Sequence, residues 1–120
     1  SGIEYFCIAG TNITDTGCET LAHMRHIRDL DLSGTNITSA GVERLRGMSQ
    51  LVDLTLRTTH VDDSVVPFLA SFHSLRYIDL ENTRVSDQGV TQLLSLRQDV
   101  KVRTTKRLER SSGDKKDSLK

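Results

Sequence analysis

Apolar side chains recur along this chain with a period of 24 residues. Written at that period, the chain falls into units 3–26, 27–50, 51–74 and 75–98, and their columns agree in detail. Ile3, Ile27, Leu51 and Leu75 align, as do Phe6, Leu30, Leu54 and Ile78, then Ile8, Leu32, Leu56 and Leu80. Thr11, Thr35, Thr59 and Thr83 form a column without exception. Ile13, Ile37, Val61 and Val85 follow, then Cys18, Val42, Val66 and Val90. Leu21, Leu45, Leu69 and Leu93 come next, and Met24, Met48, Phe72 and Leu96 close the units. So many matched columns over four copies identify an internal repeat, and a repeat decides the architecture before any other feature.

Each unit has two halves of different period. The first places apolar residues at alternate positions, as a half-buried strand does. The second spaces them about three apart, as at Val42, Leu45 and Met48, which predicts one face of a short helix. Between the halves stand Thr14-Asp15, Thr38-Ser39, Asp62-Asp63 and Ser86-Asp87, residues whose oxygens accept from the free N–H groups of a helix start. A strand, a turn, a cap and a helix make one unit that cannot bury its own apolar edge, so the units must stack. The predicted fold is therefore an α/β solenoid with a parallel sheet. The third unit carries Val65 where the others have Gly17, Gly41 and Gly89, and Pro67 follows it. Proline is tolerated only in the first helical turn, so that helix is expected to start late or as a tighter turn.

The pattern LxxLxLxxTxITxxGVxxLxxL resembles the leucine-rich repeat family, in its helix-backed form seen in ribonuclease-inhibitor-like and F-box-associated repeats, and the resemblance covers residues 3 to about 98. The family usually has Asn or Cys where this chain has its Thr column. There the side chain meets backbone groups inside the turn, and a Thr hydroxyl can do the same. The resemblance implies a non-catalytic scaffold that holds another protein on the concave face of the sheet. The side chains projecting there between the core positions are Tyr5, Asp29, Asp53 and Tyr77 in one column, with Lys101 from a fifth strand. Cys7, Asp31, Thr55, Asp79 and Arg103 form the next, and Ala9, Ser33, Arg57 and Glu81 the third. The candidate partner-binding residues are Tyr5, Asp29, Asp31, Asp53, Thr55, Arg57, Tyr77, Asp79 and Glu81. Their acidic centre calls for a partner with a basic surface, and tyrosine and arginine amid charge suit a protein interface.

Beyond Leu96 the repeat fades. Val100 and Val102 alternate with Lys101 and Arg103, which predicts a short edge strand at about 100–103 that closes a repeat domain of residues 1–103. Residues 104–120 are charged and poor in apolar residues, as expected of a disordered tail. The zero formal charge of the 120 residues hides a division: residues 1–100 carry 8 Lys and Arg against 13 Asp and Glu, and residues 101–120 carry 8 against 3. The basic tail offers a second reading, an accessory module that engages nucleic acid or an acidic membrane surface. It has no aromatic residue for stacking on bases, so a solvating tail is favoured over that reading. The first strand has no polar segment before it, which points to a C-terminal fragment whose open end is covered by upstream repeats or by a partner.

Composition supports no chemistry. Two cysteines without neighbours at zinc-ligand spacing make neither a disulfide framework nor a metal site, and no cofactor is implied. Cys18 sits in a core column, and Cys7 in a concave one. His23, His26, His60 and His73 are dispersed, and nothing pairs a Ser or Cys with them for catalysis. The triplets Asn12-Ile13-Thr14 and Asn36-Ile37-Thr38 fit N-glycosylation but recur because the repeat recurs. No run is long and apolar enough to span a membrane, and the N-terminus is not a signal peptide, which leaves localisation open with the cell interior slightly favoured. The column alignment itself predicts that Leu54→Ala lowers stability by about 2–5 kcal/mol, as a buried truncation does. Thermal or denaturant melting checks this, and an unchanged midpoint would show the register to be wrong.

Overall fold

The computed structural model describes residues 4–105, and it is a one-layer parallel sheet backed by helices. Five strands, β1 (Tyr5–Cys7), β2 (Asp29–Asp31), β3 (Asp53–Thr55), β4 (Tyr77–Asp79) and β5 (Lys101–Arg103), lie in chain order. Every neighbouring pair is parallel and offset by 24 residues: Tyr5 pairs with Asp29, Asp29 with Asp53, Asp53 with Tyr77 and Tyr77 with Lys101. The helices on the opposite side are α1 (Asp15–Leu21), α2 (Ser39–Arg44), α3 (Val66–Ala70) and α4 (Asp87–Leu96). Parallel strands need a crossover between them, and here each crossover is the turn and helix of one unit.

The core is the set of matched columns. Ile27, Leu30, Leu32, Leu45, Leu54, Leu56, Leu69 and Leu80 are all buried. Phe6, Ile8, Ile13 and Met24 of the first unit are half-buried, because each packs against a neighbouring unit on one side only among the described residues. Ile3, of the same columns, lies outside the described residues. The last column fails at its end: Leu96, aligned with Met48 and Phe72, is 56% exposed. α4 runs to Leu96, longer than the other helices, and carries that side chain past the core.

At the bottom of unit four the chain substitutes a polar device. The Arg97 guanidinium donates to the carbonyls of Phe72 (2.7 Å) and Leu75 (2.8 Å), and pairs with Asp99 (3.2 Å). The Phe72 carbonyl also accepts from the Leu75 N–H and the Leu75 carbonyl from the Arg76 guanidinium, both at 3.0 Å, so the planar fork of Arg97 adds a second donor to each carbonyl of the turn after α3. Sequence pattern gave no sign of it, because Arg97 falls where the repeat fades.

The threonine column works as expected. Thr11, Thr35, Thr59 and Thr83 donate their hydroxyls to the carbonyls of Ile8, Leu32, Leu56 and Leu80 at 2.7–2.8 Å. Each hydroxyl satisfies a carbonyl inside the turn that no other unit reaches. One place before it, Gly10, Gly34, Thr58 and Asn82 all take positive φ, 75°, 71°, 58° and 57°. Glycine and asparagine suit that conformation; the β-branched Thr58 does not.

The cap positions do more than start helices. Thr38, Asp62 and Ser86 accept from the N–H groups of Ala40, Ser64 and Gly89. The residue after each cap reaches forward to the next unit's cap. Asp15 accepts from the Thr38 N–H (2.7 Å) and hydroxyl (2.5 Å), and Asp63 accepts from the Ser86 N–H (2.7 Å) and hydroxyl (2.6 Å). At the intervening step Ser39 replaces the acid, donating to the Asp62 carboxylate and accepting its N–H, both at 3.1 Å. This side-chain ladder explains two members of the glycine column, Gly41 and Gly89, while a Cβ on Gly17 would meet the Ile13 side chain. A Cβ on Gly41 would run into the Asp15 carboxylate, and one on Gly89 into that of Asp63. Only the unit behind Ser39 has room for a larger residue, and that is the unit with Val65. As expected there, the helix opens as a tight turn at Asp63–Val65, and Pro67 lies in the first turn of α3.

Ser39→Asp should therefore destabilise the chain by about 1–3 kcal/mol, the usual range for overpacking. Val65→Gly, which empties a buried site, is costly alone as well. The double variant should be more stable than the sum of the two changes, with a coupling of about 0.5–3 kcal/mol in denaturant melts. Strict additivity would show that the two side chains do not compete for the same space.

Candidate functional site

The strands carry their outward side chains on the face opposite the helices, and that concave face is the candidate site. In β2 and β3 the central leucine is buried while its neighbours are half-exposed. Parallel pairing in register turns every outward position into a row across the sheet, with steps of about 4.8 Å. The first row reads Tyr5, Asp29, Asp53, Tyr77, Lys101 and the second Cys7, Asp31, Thr55, Asp79, Arg103. Ser33, Arg57, Glu81 and Thr105 continue beside them at the strand ends. All nine candidate residues are thus brought onto one surface.

Their partners divide them sharply. Asp31 accepts from the Ser33 N–H and Asp79 from the Glu81 N–H, both at 2.9 Å, so these two carboxylates fasten the chain as it leaves the strand. Arg57 bridges Asp79 (2.9 Å) and Glu81 (2.6 Å), joining β3 to β4. Its guanidinium is held above the ordinary arginine value, first by the hydrogen bond to Asp79 and then by the acidic charges around it. Three of the acids are in this way engaged within the chain. Sequence spacing placed them on the face but gave no hint that they also serve the fold.

Asp29 and Asp53 are different. Neither carboxylate has a hydrogen-bond or ion-pair partner among the described residues, although they stand side by side in register. Both are pushed above the usual carboxylate range. Partial burial is the main cause for each, followed for Asp29 by the charge of Asp31 and for Asp53 by Asp29, Asp79 and Asp31. Tyr5 and Tyr77 flank them in the same row, 55% and 50% exposed. The Tyr5 phenol is raised as well, first by its hydrogen bond with Cys7, so it stays a donor. An open hollow of about 740 Å³ lies over β3 to β5, lined by Asp53, Thr55, Arg57, Tyr77, Asp79, Lys101 and Arg103 among others.

Other candidate chemistry finds no support in the geometry. Burial lifts the Cys18 thiol to about 11, which keeps it protonated in the core, whereas Cys7 is a free, exposed thiol. Among the described residues no group of three or more His, Cys, Asp or Glu side chains could hold a metal ion. No described helix is long and apolar enough to cross a membrane. The basic residues Lys106, Arg107, Arg110, Lys115, Lys116 and Lys120, on which the nucleic-acid or membrane reading rests, lie outside the described residues. The Thr105 hydroxyl accepts from the Asn82 N–H at 2.6 Å, and the rest of the expected tail, residues 106–120, lies outside the described residues.

Comparison with known proteins agrees with this geometry. Residues 23–45 match a family model for the Leucine Rich repeat. Among solved structures, the chain is similar to an internalin (inlF) from Listeria monocytogenes, with a TM-score of 0.54 and 18% identity. The match covers 97% of this chain and 40% of that one, so the chain spans less than half the length of its structural relative. No curated protein matches the chain.

The raised carboxyls give a signed prediction. A carboxyl whose pKa is higher folded than unfolded opposes folding once it is ionised, and the penalty disappears below the unfolded value. Asp53→Asn should therefore raise the melting temperature at neutral pH, and the gain should shrink as pH falls through the carboxylate range. Melting curves against pH test this, and a gain that persists in acid would assign the effect to packing.

Proposed function

We propose that this chain, which is a leucine-rich repeat protein, works as a non-catalytic scaffold that binds another protein on its concave sheet. The observation that carries the reading is the pair Asp29 and Asp53, two adjacent carboxylates without partners among the described residues, set between two exposed tyrosines. Like charges side by side on a sheet are a cost, and here nothing within the described fold offsets it. A partner that presents Lys or Arg to this pair relieves the repulsion and gains charge-assisted hydrogen bonds. Tyr5 and Tyr77 supply broad, stiff contact area and can face the incoming cation with their rings. Asp31, Thr55, Arg57, Asp79 and Glu81 complete the surface, but as a fixed network rather than as free charge.

The basic partner surface follows from charge alone, and the acids suited to testing it are those with no duty in the fold. Asp29→Asn with Asp53→Asn should leave the chain folded and should weaken partner capture, mainly by slowing association. Asp31→Asn or Asp79→Asn should instead cost stability, because each removes a carboxylate from a backbone N–H. The parent and double-variant chains, immobilised and exposed to the same cell extract at low and high salt, decide between the outcomes. Equal recovery of the same partner by both, at both salts, would move the interface off the acidic row.

A further inference from the structure

We infer that the concave sheet also pairs with itself: two copies of this chain meet face to face about a two-fold axis parallel to the strands. β2 of one copy then lies over β5 of the other, and β3 over β4. This goes beyond the binding of a basic partner, since it names a second copy as an occupant of the same face.

The inference comes from the order of charges across the sheet. After the internal pairing of Arg57 with Asp79 and Glu81, free negative charge sits at the β2–β3 side, on Asp29 and Asp53. Free positive charge sits on β5, where Lys101 and Arg103 have no side-chain partners among the described residues. A two-fold axis along the strands reverses strand order but keeps strand direction, so each row of side chains meets the same row of its copy. With β2 over β5, Asp29 faces the second copy's Lys101, and Asp31 faces its Arg103. Asp53 faces Tyr77, a hydroxyl donor for a carboxylate that has none. Thr55 faces Asp79, and Arg57 faces Glu81. The axis repeats every one of these contacts.

No other register of comparable overlap matches. Moving the copies by one strand, so that β3 lies over β3, sets Asp53 against Asp53, Arg57 against Arg57 and Asp31 against Asp79. Moving them the other way, with β4 over β4 and β3 over β5, sets Asp79 against Asp79 and Glu81 against Glu81 and leaves β2 outside. A second step in the first direction, with β2 over β3, sets Asp29 against Asp53 and leaves β5 outside. A two-fold axis across the strands makes them antiparallel and brings like charges together, for example Asp31, Asp79 and Arg103 each against its own copy. Like-charge contacts of that kind select against an arrangement. One register is thus free of them.

Such a pair is small. Four strands about 4.8 Å apart, over about six residues of about 3.3 Å, cover roughly 400 Å² per copy, about half of what a standard stable interface buries on each side. Association should therefore be weak, reversible and driven by charge, so it should fade as salt shortens the screening length below about 10 Å.

Sedimentation velocity on the full chain tests this. The weight-average sedimentation coefficient should rise with concentration at low ionic strength and return to the monomer value at high ionic strength. Asp29→Lys and Lys101→Asp should each give a monomer, since each turns two attractive contacts into repulsive ones. Mixing these two variants in equal amounts should restore a dimer, because a heterodimer has both pairs with opposite charge again. Neither side chain has a partner within the described fold, and circular dichroism melts establish that both variants are folded. A parent chain that is monomeric throughout, a single variant that associates like the parent, or a mixture no more associated than its components would overturn the dimer. Those results leave the partner reading standing, because it is tested by capture on Asp29 and Asp53. Loss of that reading with the dimer intact would equally be visible.

Discussion

Everything in this molecule depends on one constraint: a strand, turn and helix of 24 residues cannot bury its own apolar edge. Ile27, Leu30 and Leu32 are covered only because the unit beginning at Leu51 lies against them in register. The backbone bonds of the sheet set that register on one side, and the side-chain ladder of Asp15, Ser39 and Asp63 sets it on the other. Between these two seams the leucine columns have little choice of neighbour. Stability of this kind is a sum of unit and interface contributions, as in other one-dimensional arrays.

The same constraint creates the rows of the concave face. Keeping the strands parallel and exactly one unit apart forces like positions into rows, so the chemistry of a row is the sequence read at intervals of 24. Aspartate at one outward position is an ordinary exposed charge; aspartate at the same position in the next unit becomes a pair about 4.8 Å away. The fold thereby amplifies small choices at outward positions into concentrated charge. It also offers a remedy at some of them, as Arg57 shows by bridging Asp79 and Glu81. At Asp29 and Asp53 no such remedy is found among the described residues, and the like charges are left side by side.

Much of this could be read from the sequence, because repetition supplies its own comparison. Core columns, strand starts, the membership of the concave rows and three of the helix caps follow from four aligned copies, while Thr14 starts its helix without a side-chain cap bond. What escaped were interactions between columns. That Asp31 and Asp79 hold backbone N–H groups cannot be seen from spacing, since an outward aspartate two residues before a turn reads the same whether it is free or bonded. Arg97 escaped because it acts where the copies no longer align, and Leu96 was misplaced for the same reason. The shared left-handed backbone at Gly10, Gly34, Thr58 and Asn82 also escaped, because Thr58 is the wrong residue for it.

The pairing of Ser39 with Val65 has a meaning for how such arrays grow. Repeats are often regarded as interchangeable bricks, but here a unit that begins with Val65 fits only behind one that offers serine. A unit that begins with glycine accepts the bulkier acid. Each junction therefore follows a grammar of two words, acid then glycine or serine then valine, and mixed pairs are overfull or loose. Duplicating a single unit in this chain would break that grammar at one of its new borders whenever the copied unit carries one word at its front and the other at its back. The unit 51–74, with Val65 at the front and Asp63 reaching to the back, is of that kind. Lengthening the array through this unit without strain would copy residues 27–74 together, which keeps Ser39 before Val65 and sets Asp63 before a copied Gly41, so that the viable increment there is about two of the roughly 20–29-residue repeats typical of this architecture rather than one.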